Sequence, residues 1–263
     1  MPNDCSNNFT VSKVTADQWQ QLADSFQVRG EGYQQDFLKT FFPEPDWQNT
    51  PNKKGHLPGP SYMSSRGYQK RGFVFPFGDL PALTPKTVFA ESPVFPDGTT
   101  DQRWYDWRID NWGTKWDIYN CFNEFEEPSD SFSVSFQTAW SPLNEKCMEV
   151  LSKQFPGAVL TNSYDEEGDD FCGVTVAKDG VVLDYCTEIS KLKESWAKEN
   201  HPGLWEEAEN PEDEDAVDEL FDLWCDEMGE VVYDHLDAKE DELIEQVLKQ
   251  VSFLTTTPPV EVG

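Results

Sequence analysis

Between residues 212 and 250 the chain carries 16 acidic and 2 basic side chains, yet apolar residues recur through the same stretch at helical spacing. The apolar positions run Val217, Leu220, Phe221, Trp224, Met228, Val231, Val232 and Leu236, then Leu243, Ile244, Val247, Leu248 and Val251. Carboxylates fill the other side: Asp215, Glu219, Asp222, Asp226, Glu230, Asp234, Asp237, Asp241 and Glu245 follow one another at intervals of three and four. Like charges at i,i+4 oppose a helix by a few tenths of a kcal/mol per pair. Such a helix forms only if its apolar side packs on something. The pattern predicts one or two helices, with Gly229 or the Asp237–Asp241 stretch as the expected break, and Asn210-Pro211 as cap and first helical residue.

The charge is segregated along the chain. The net values are −1 over 1–100, −11 over 101–200 and −18 over 201–263, within a total of −30. So acidic a chain disfavours a generic nucleic-acid coat, which needs cations to displace counterions. Aromatics at 14% speak for a packed core rather than an acidic disordered chain. No apolar run is long enough to span a bilayer, and the first residues have no basic-then-apolar leader pattern. A soluble cytoplasmic protein is the expectation. Cysteines at 5, 121, 147, 172, 186 and 225 have no C-x-x-C spacing and are expected to be reduced and mostly buried.

Cys5–Ser12 reads as a strand. Thr15 with Gln18 forms a capping box before Trp19, Leu22, Ala23 and Phe26. A second short helix is expected over 33–42, stopped by Pro43. Ten of the 18 prolines then fall within 43–97, which predicts an ordered loop insertion, with Phe73, Phe75 and Phe77 alternating as in a strand. Lys53, Lys54, Arg66, Lys70 and Arg71 lie in it beside Tyr62 and Tyr68. These cations either offset the acidic body or contact single-stranded nucleic acid with aromatic stacking; the first reading is favoured, because five cations give a weak field on a molecule of −30.

Further on, WYDWRIDNWGTKWD (104–117) places Gly113 at a helix end, and FSVSFQTAWSP (132–142) is an alternating strand leading to Ser141-Pro142, expected to cap a helix over 143–155. Residues 158–164 read as a strand, and 171–177 with 181–185 as a hairpin across Lys178-Asp179-Gly180. DEEGDD (165–170) reads as a solvated acidic turn rather than a calcium loop, because the EF-hand spacing is missing. Residues 187–200 read as a helix stopped by His201-Pro202-Gly203.

CSNNFTVS, FLKTFFPEP, WRIDNWGTKWD, FQTAWSPL and FPGAVLTNSYDEEGDDFCG together resemble the YubB-like ferredoxin-fold family of phages and conjugative plasmids, over about 1–47 and 100–184. The resemblance implies an α+β, ferredoxin-like βαββαβ sandwich; the name denotes topology and brings no iron–sulfur cluster. The expected division is a core over 1–186 with the 43–97 insertion, an acidic helical extension over 187–254, and a flexible tail over 255–263.

No Ser-His-Asp, Cys-His, HExxH or phosphate-loop pattern appears, and the three histidines, 56, 201 and 235, are unpaired in sequence. A non-enzymatic protein with no cofactor and no metal is expected. The expected partner is a basic protein surface, on a host nucleic-acid-binding or defence protein, met by the carboxylate row. Residues 212–250 as one helix would carry one net charge per ~4 Å, against ~3.4 Å for one DNA strand, so charge mimicry of DNA is physically open. The alternative is single-stranded nucleic acid on an open sheet, with Phe132, Phe136 or Trp116 as stacking residues and the 53–71 cations in support. Trp196, Trp205 and Trp224 are expected to pack the extension onto the core or into a dimer.

Overall fold

The computed structural model describes residues 3–26, 36–59, 62–63, 69–70, 93–122, 128–208 and 214–256. The chain divides into two compact units, one of residues 1–42 with 111–263 and the other of residues 43–110.

The first unit is an α+β domain of ferredoxin-like topology. Strand β1 (Asp4–Ser12) leads to α1 (Ala16–Ser25), where the Thr15–Gln18 capping box forms as read. Helix α2 (Phe37–Phe41) ends before Pro43; the earlier part of the expected 33–42 helix, 33–35, lies outside the described residues. After the second unit, which contributes the two-residue strands β2 (Tyr62–Met63) and β3 (Gln69–Lys70), helix α3 (Arg103–Trp112) returns the chain. Then come β4 (Tyr119–Phe122), β5 (Ser131–Ala139), α4 (Glu145–Gln154), β6 (Val159–Glu166), β7 (Phe171–Lys178) and β8 (Val181–Thr187). Helices α5 (Ile189–Asn200), α6 (Pro202–Ala208) and α7 (Glu214–Thr256) close the described chain.

The six-stranded sheet has the order β4-β5-β1-β6-β7-β8, and every neighbouring pair is antiparallel. β1-α1-β4-β5-α4-β6 is the βαββαβ unit, and the β7–β8 hairpin widens it. That hairpin turns on Asp179 and Gly180, both at positive φ (48° and 87°), the conformation of a two-residue primed turn.

One face of the sheet carries the main aromatic core. Phe9 meets Phe37 at 5.9 Å, Trp19 meets Phe132 at 5.9 Å, Phe26 meets Phe132 at 5.4 Å and Phe41 meets Phe155 at 5.1 Å. Asp117, buried at 1% exposure, caps α2 from a distance: its carboxylate accepts from the backbone N–H of Leu38, Lys39 and Ile118. Burial nevertheless pushes its carboxyl up to about 6.

The two halves of the WGTKWD–TAWSP pattern meet. Gly113 sits at φ +88°, and a Cβ there would lie 2.6 Å from the Pro142 carbonyl oxygen, so only glycine fits. Asn144 N–H donates to Trp112 O, and Ala139 N–H donates to Thr114 Oγ1. This approach overturns the expected Ser141 cap. Leu143 turns into the core at 1% exposure, and Asn144 caps α4 by accepting from Cys147 N–H.

The second unit is held by half-buried guanidinium groups. Arg103 lies 5.1 Å from both the Trp47 and Phe95 ring centroids, binds Asp101 through two nitrogens and donates to the carbonyls of Thr50 and Trp47. Arg108 pairs with Glu44. The Phe73–Phe77 alternation lies outside the described residues.

Candidate functional site

Helix α7 is unbroken for 43 residues, about 64 Å at 1.5 Å per residue. Neither Gly229 nor the Asp237–Asp241 stretch interrupts it. Cβ-less Gly229 is exposed with open space around it, and the neighbouring turns are anchored from below.

The anchoring changes along its length. In the N-terminal half, Leu220, Trp224 and Val232 pack with Trp196 and Ala197 of α5, joined by Leu204 and Trp205 of α6. Trp196 and Trp224 lie 5.4 Å apart. The three tryptophans thus hold α5, α6 and α7 together. In the C-terminal half, Leu243 and Val247 pack on Val159, Val174 and Val176 of the sheet. The buried positions Ala216, Leu220, Trp224, Val232, Leu236, Leu243 and Val247 are spaced mostly by fours. Each step of four overshoots a turn by about 40°. The buried stripe therefore winds around the helix, from the α5–α6 side to the sheet side. Val217 and Phe221, read from the sequence as packed, are instead 45% and 54% exposed, because the stripe has rotated away from them.

The carboxylate row winds with it. Asp215, Glu219, Asp222, Asp226, Glu230, Asp234, Asp237, Asp241 and Glu245 are all exposed. Over about 45 Å they present one carboxylate per ~5.6 Å, sparser than a single DNA strand at ~3.4 Å. Glu245 is paired with Lys249 at 3.1 Å. Glu240 is different: it leans inward on the sheet side, where burial raises its carboxyl, a Thr161 hydrogen bond opposes that, and Asp237 and Asp241 add to it.

α7 crosses only the β6–β8 part of the second sheet face. Over β1 and β5 that face is polar. Ser6, Asn8, Thr10 and Ser12 of β1 stand opposite Gln137, Ser135, Ser133 and Ser131 of β5. Thr10 and Ser133 hydroxyls are 2.9 Å apart, and Ser135 Oγ donates to Asn8 Oδ1 at 2.6 Å. Phe132 and Phe136, offered as stacking residues for nucleic acid, are 2% exposed and belong to the opposite, covered face. Among the described residues, Phe122 is an exposed aromatic on the open face, at 73%, which alternation could not flag because β4 is short and bulged. Trp116 stacks on Trp140, centroids 6.4 Å apart, with the Lys115 ammonium near both rings.

The loop cations are not brought together as a site among the described residues. Lys53 is exposed, and Lys54 pairs with Asp97 at 3.2 Å. Arg66 and Arg71 lie outside the described residues, as does the side chain of Lys70.

Two acids of DEEGDD are engaged by the backbone. Glu166 accepts from the N–H groups of Gly168 and Asp169, and Asp170 accepts from the N–H and hydroxyl of Ser190. Asp165 is pushed up to about 6 by burial and by Glu167 and Glu166. Cys5, Cys147 and Cys172 are buried, whereas Cys186 and Cys225 are exposed, and all six cysteines are free. Burial holds the thiols of Cys5, Cys121 and Cys172 up at about 12. His235 Nε2 is 2.9 Å from Tyr185 Oη, and burial lowers its pKa. α5 ends at Asn200 with His201 as its C-cap, as read, and Pro202 then opens the separate helix α6 as its first residue. The expected Asn210-Pro211 cap lies outside the described residues.

Residues 115–213 match the family model for the ferredoxin-like domain in Api92-like protein. The match starts just before β4 and stops just before α7, so the acidic helix lies beyond it. A crystal structure of a protein Api92 from Yersinia pseudotuberculosis is similar at 19% identity, over 36% of this chain and 32% of that one, with a TM-score of 0.30. This chain thus matches about a third of that protein's length. No curated protein matches the chain. Among the described residues, no helix is long and apolar enough to cross a membrane.

Proposed function

We propose that the chain is a non-enzymatic interaction protein whose α7 carboxylate row docks on a basic surface of another protein. The observation that carries this reading is the exposure of every member of the row along one unbroken helix. Solvated like charges at this spacing oppose the helix that bears them, and the winding apolar stripe holds them in place regardless. The non-enzymatic part draws support from the thiols that burial keeps protonated and from His235, which is engaged by Tyr185.

The resemblance to the YubB-like family of phages and conjugative plasmids gives the proposal its finer form. The partner is then a host nucleic-acid-binding or defence protein, in the cytoplasm of the host cell, and the row competes with nucleic acid for it. A single row is sparser than one DNA strand, so the competition rests on a strip of charge rather than on a full duplex likeness.

The test is capture from bacterial lysate over a salt series, with the wild-type chain and a variant bearing Asn or Gln at the nine row positions. The expected result is a basic partner retained by the wild type at low salt, released as salt rises, and not retained by the variant. Equal recovery by both chains overturns the reading.

A further inference from the structure

A second exposed series runs along α7 beside the carboxylates. Val217, Phe221, Cys225, Gly229 and Tyr233 follow at steps of four, and all five are exposed. Val217, Phe221 and Tyr233, at 45%, 54% and 46%, are three of the seven large apolar side chains exposed among the described residues, so such exposure is concentrated here. Each member of the series is preceded by a buried or half-buried residue and followed by an exposed acid, in turn Asp218, Asp222, Asp226, Glu230 and Asp234. Consecutive residues stand about 100° apart around a helix. The strip therefore lies between the packed side of α7 and a border of carboxylates, over ~24 Å at 1.5 Å per residue.

Gly229 adds an independent observation. It sits inside the helix without a positive φ, and a Cβ there would meet nothing within 4 Å. The fold has no need of glycine at this position, and glycine weakens a helix relative to alanine. What it provides is a notch in the strip where a second backbone can come close.

Charge and period together select what fits the strip. The acidic border repels nucleic acid, and it repels a second copy of this chain, which carries −30. It attracts a cationic partner, and one cation already lies against the strip: the Lys193 ammonium is 4.9 Å from the Phe221 ring centroid. A strand laid on a helix would leave its own backbone groups unpaired. A helix pairs its own, and apolar residues four apart along it repeat every ~6 Å, which is the period of the strip. We infer that the partner docks through a basic amphipathic helix. Its apolar side chains seat on Val217, Phe221 and Tyr233, its backbone passes close to Gly229, and its Lys or Arg residues face the acidic border. The inference rests on the carboxylate reading proposed above and adds to it the form of the partner.

The probe is a synthetic peptide of leucine and lysine, about 18 residues long, with its leucines on one helical face. The control peptide has the same composition in an order that gives no apolar face. Fluorescence anisotropy of the labelled peptides is read against the full chain at fixed salt. The wild type is expected to bind the amphipathic peptide about tenfold more tightly than the control. Val217→Ser, Phe221→Ser and Tyr233→Ser combined, and Gly229→Gln alone, are each expected to abolish that preference and leave the affinity for the control unchanged. Gly229→Gln places its side chain in open space, so it decides if the triple variant does not fold. Equal affinity of the two peptides for the wild type, or a preference that persists in a folded strip variant, overturns the inference and leaves the carboxylate reading standing. The chain neutralised at the nine row positions is expected to lose both peptides. Undiminished binding of both to that chain overturns the carboxylate reading and this inference with it.

Discussion

The β4-β5-β1 part of the sheet and its β7-β8 part obey different rules of burial. β5 alternates from Phe132 to Thr138, with Phe132, Val134, Phe136 and Thr138 buried and Ser133, Ser135 and Gln137 between them exposed or half-buried. β7 is buried at six consecutive positions from Cys172 to Ala177, because α4 lies on one face and α7 on the other. An antiparallel strand with one wet face shows alternation; one covered on both faces shows an apolar run. The lesson is that the acidic helix is part of the core unit. It supplies the second cover of the β6–β8 half, and the price of its charge is met by that packing.

The largest expected contrast comes from a charge placed on each half. Val176→Asp puts an unpaired carboxylate between Thr161 and Val247, at 0% exposure, and is expected to abolish folding as followed by denaturant titration. Ser133→Asp on the open face is expected to stay within about 0.5 kcal/mol of the wild type. Equal losses at the two sites would break the comparison.

Next in size, Trp224→Ala is expected to cost about 3–5 kcal/mol, because it empties the contact with Trp196. Phe221→Ala, one turn away but 54% exposed, should change urea stability far less, and a similar cost would show that the stripe does not wind as described.

A pH series sharpens the picture further. Asp117 and Asp165, each raised to about 6 from 3.8, bind protons more tightly in the folded chain than in the unfolded one. Between about pH 4 and 6 the folded state therefore holds more protons, so their contribution to stability falls as pH rises through that window. Melting temperature is expected to be higher at pH 5 than at pH 7.5. In Asp117→Asn the dependence should be shallower, and an unchanged or inverted slope would contradict the assignment.

The smallest effect belongs to the row. Neutralising Asp222, Asp226 and Glu230 removes the four i,i+4 repulsions 218–222, 222–226, 226–230 and 230–234 and is expected to raise stability by a few tenths of a kcal/mol each; a loss of stability would mean that these carboxylates have structural partners.

Much of this was legible in the sequence. The Thr15–Gln18 box, the β5 alternation and the Asp179-Gly180 turn are local signals, and each forms as read. What escaped required distant contacts. Asp117 caps α2 from far along the chain, and Asn144 displaces Ser141 as a cap because Gly113 draws the segment in. The carboxylate row itself could be listed residue by residue, since acids at intervals of three and four share a face. Its unbroken course past Gly229 could not, because that depends on α5, α6 and the sheet lying under successive turns. Burial of Phe132 and Phe136 followed from which face α1 and α2 cover, and alternation alone leaves that choice open.

The central claim is that the exposed carboxylates of α7 are what a partner recognises. Its most direct test is the affinity of the captured partner for chains with three, six and nine row positions neutralised, measured by calorimetry at fixed salt. The account predicts a stepwise loss of binding with each set while the circular-dichroism spectrum stays constant. Undiminished affinity in the fully neutralised chain would contradict it.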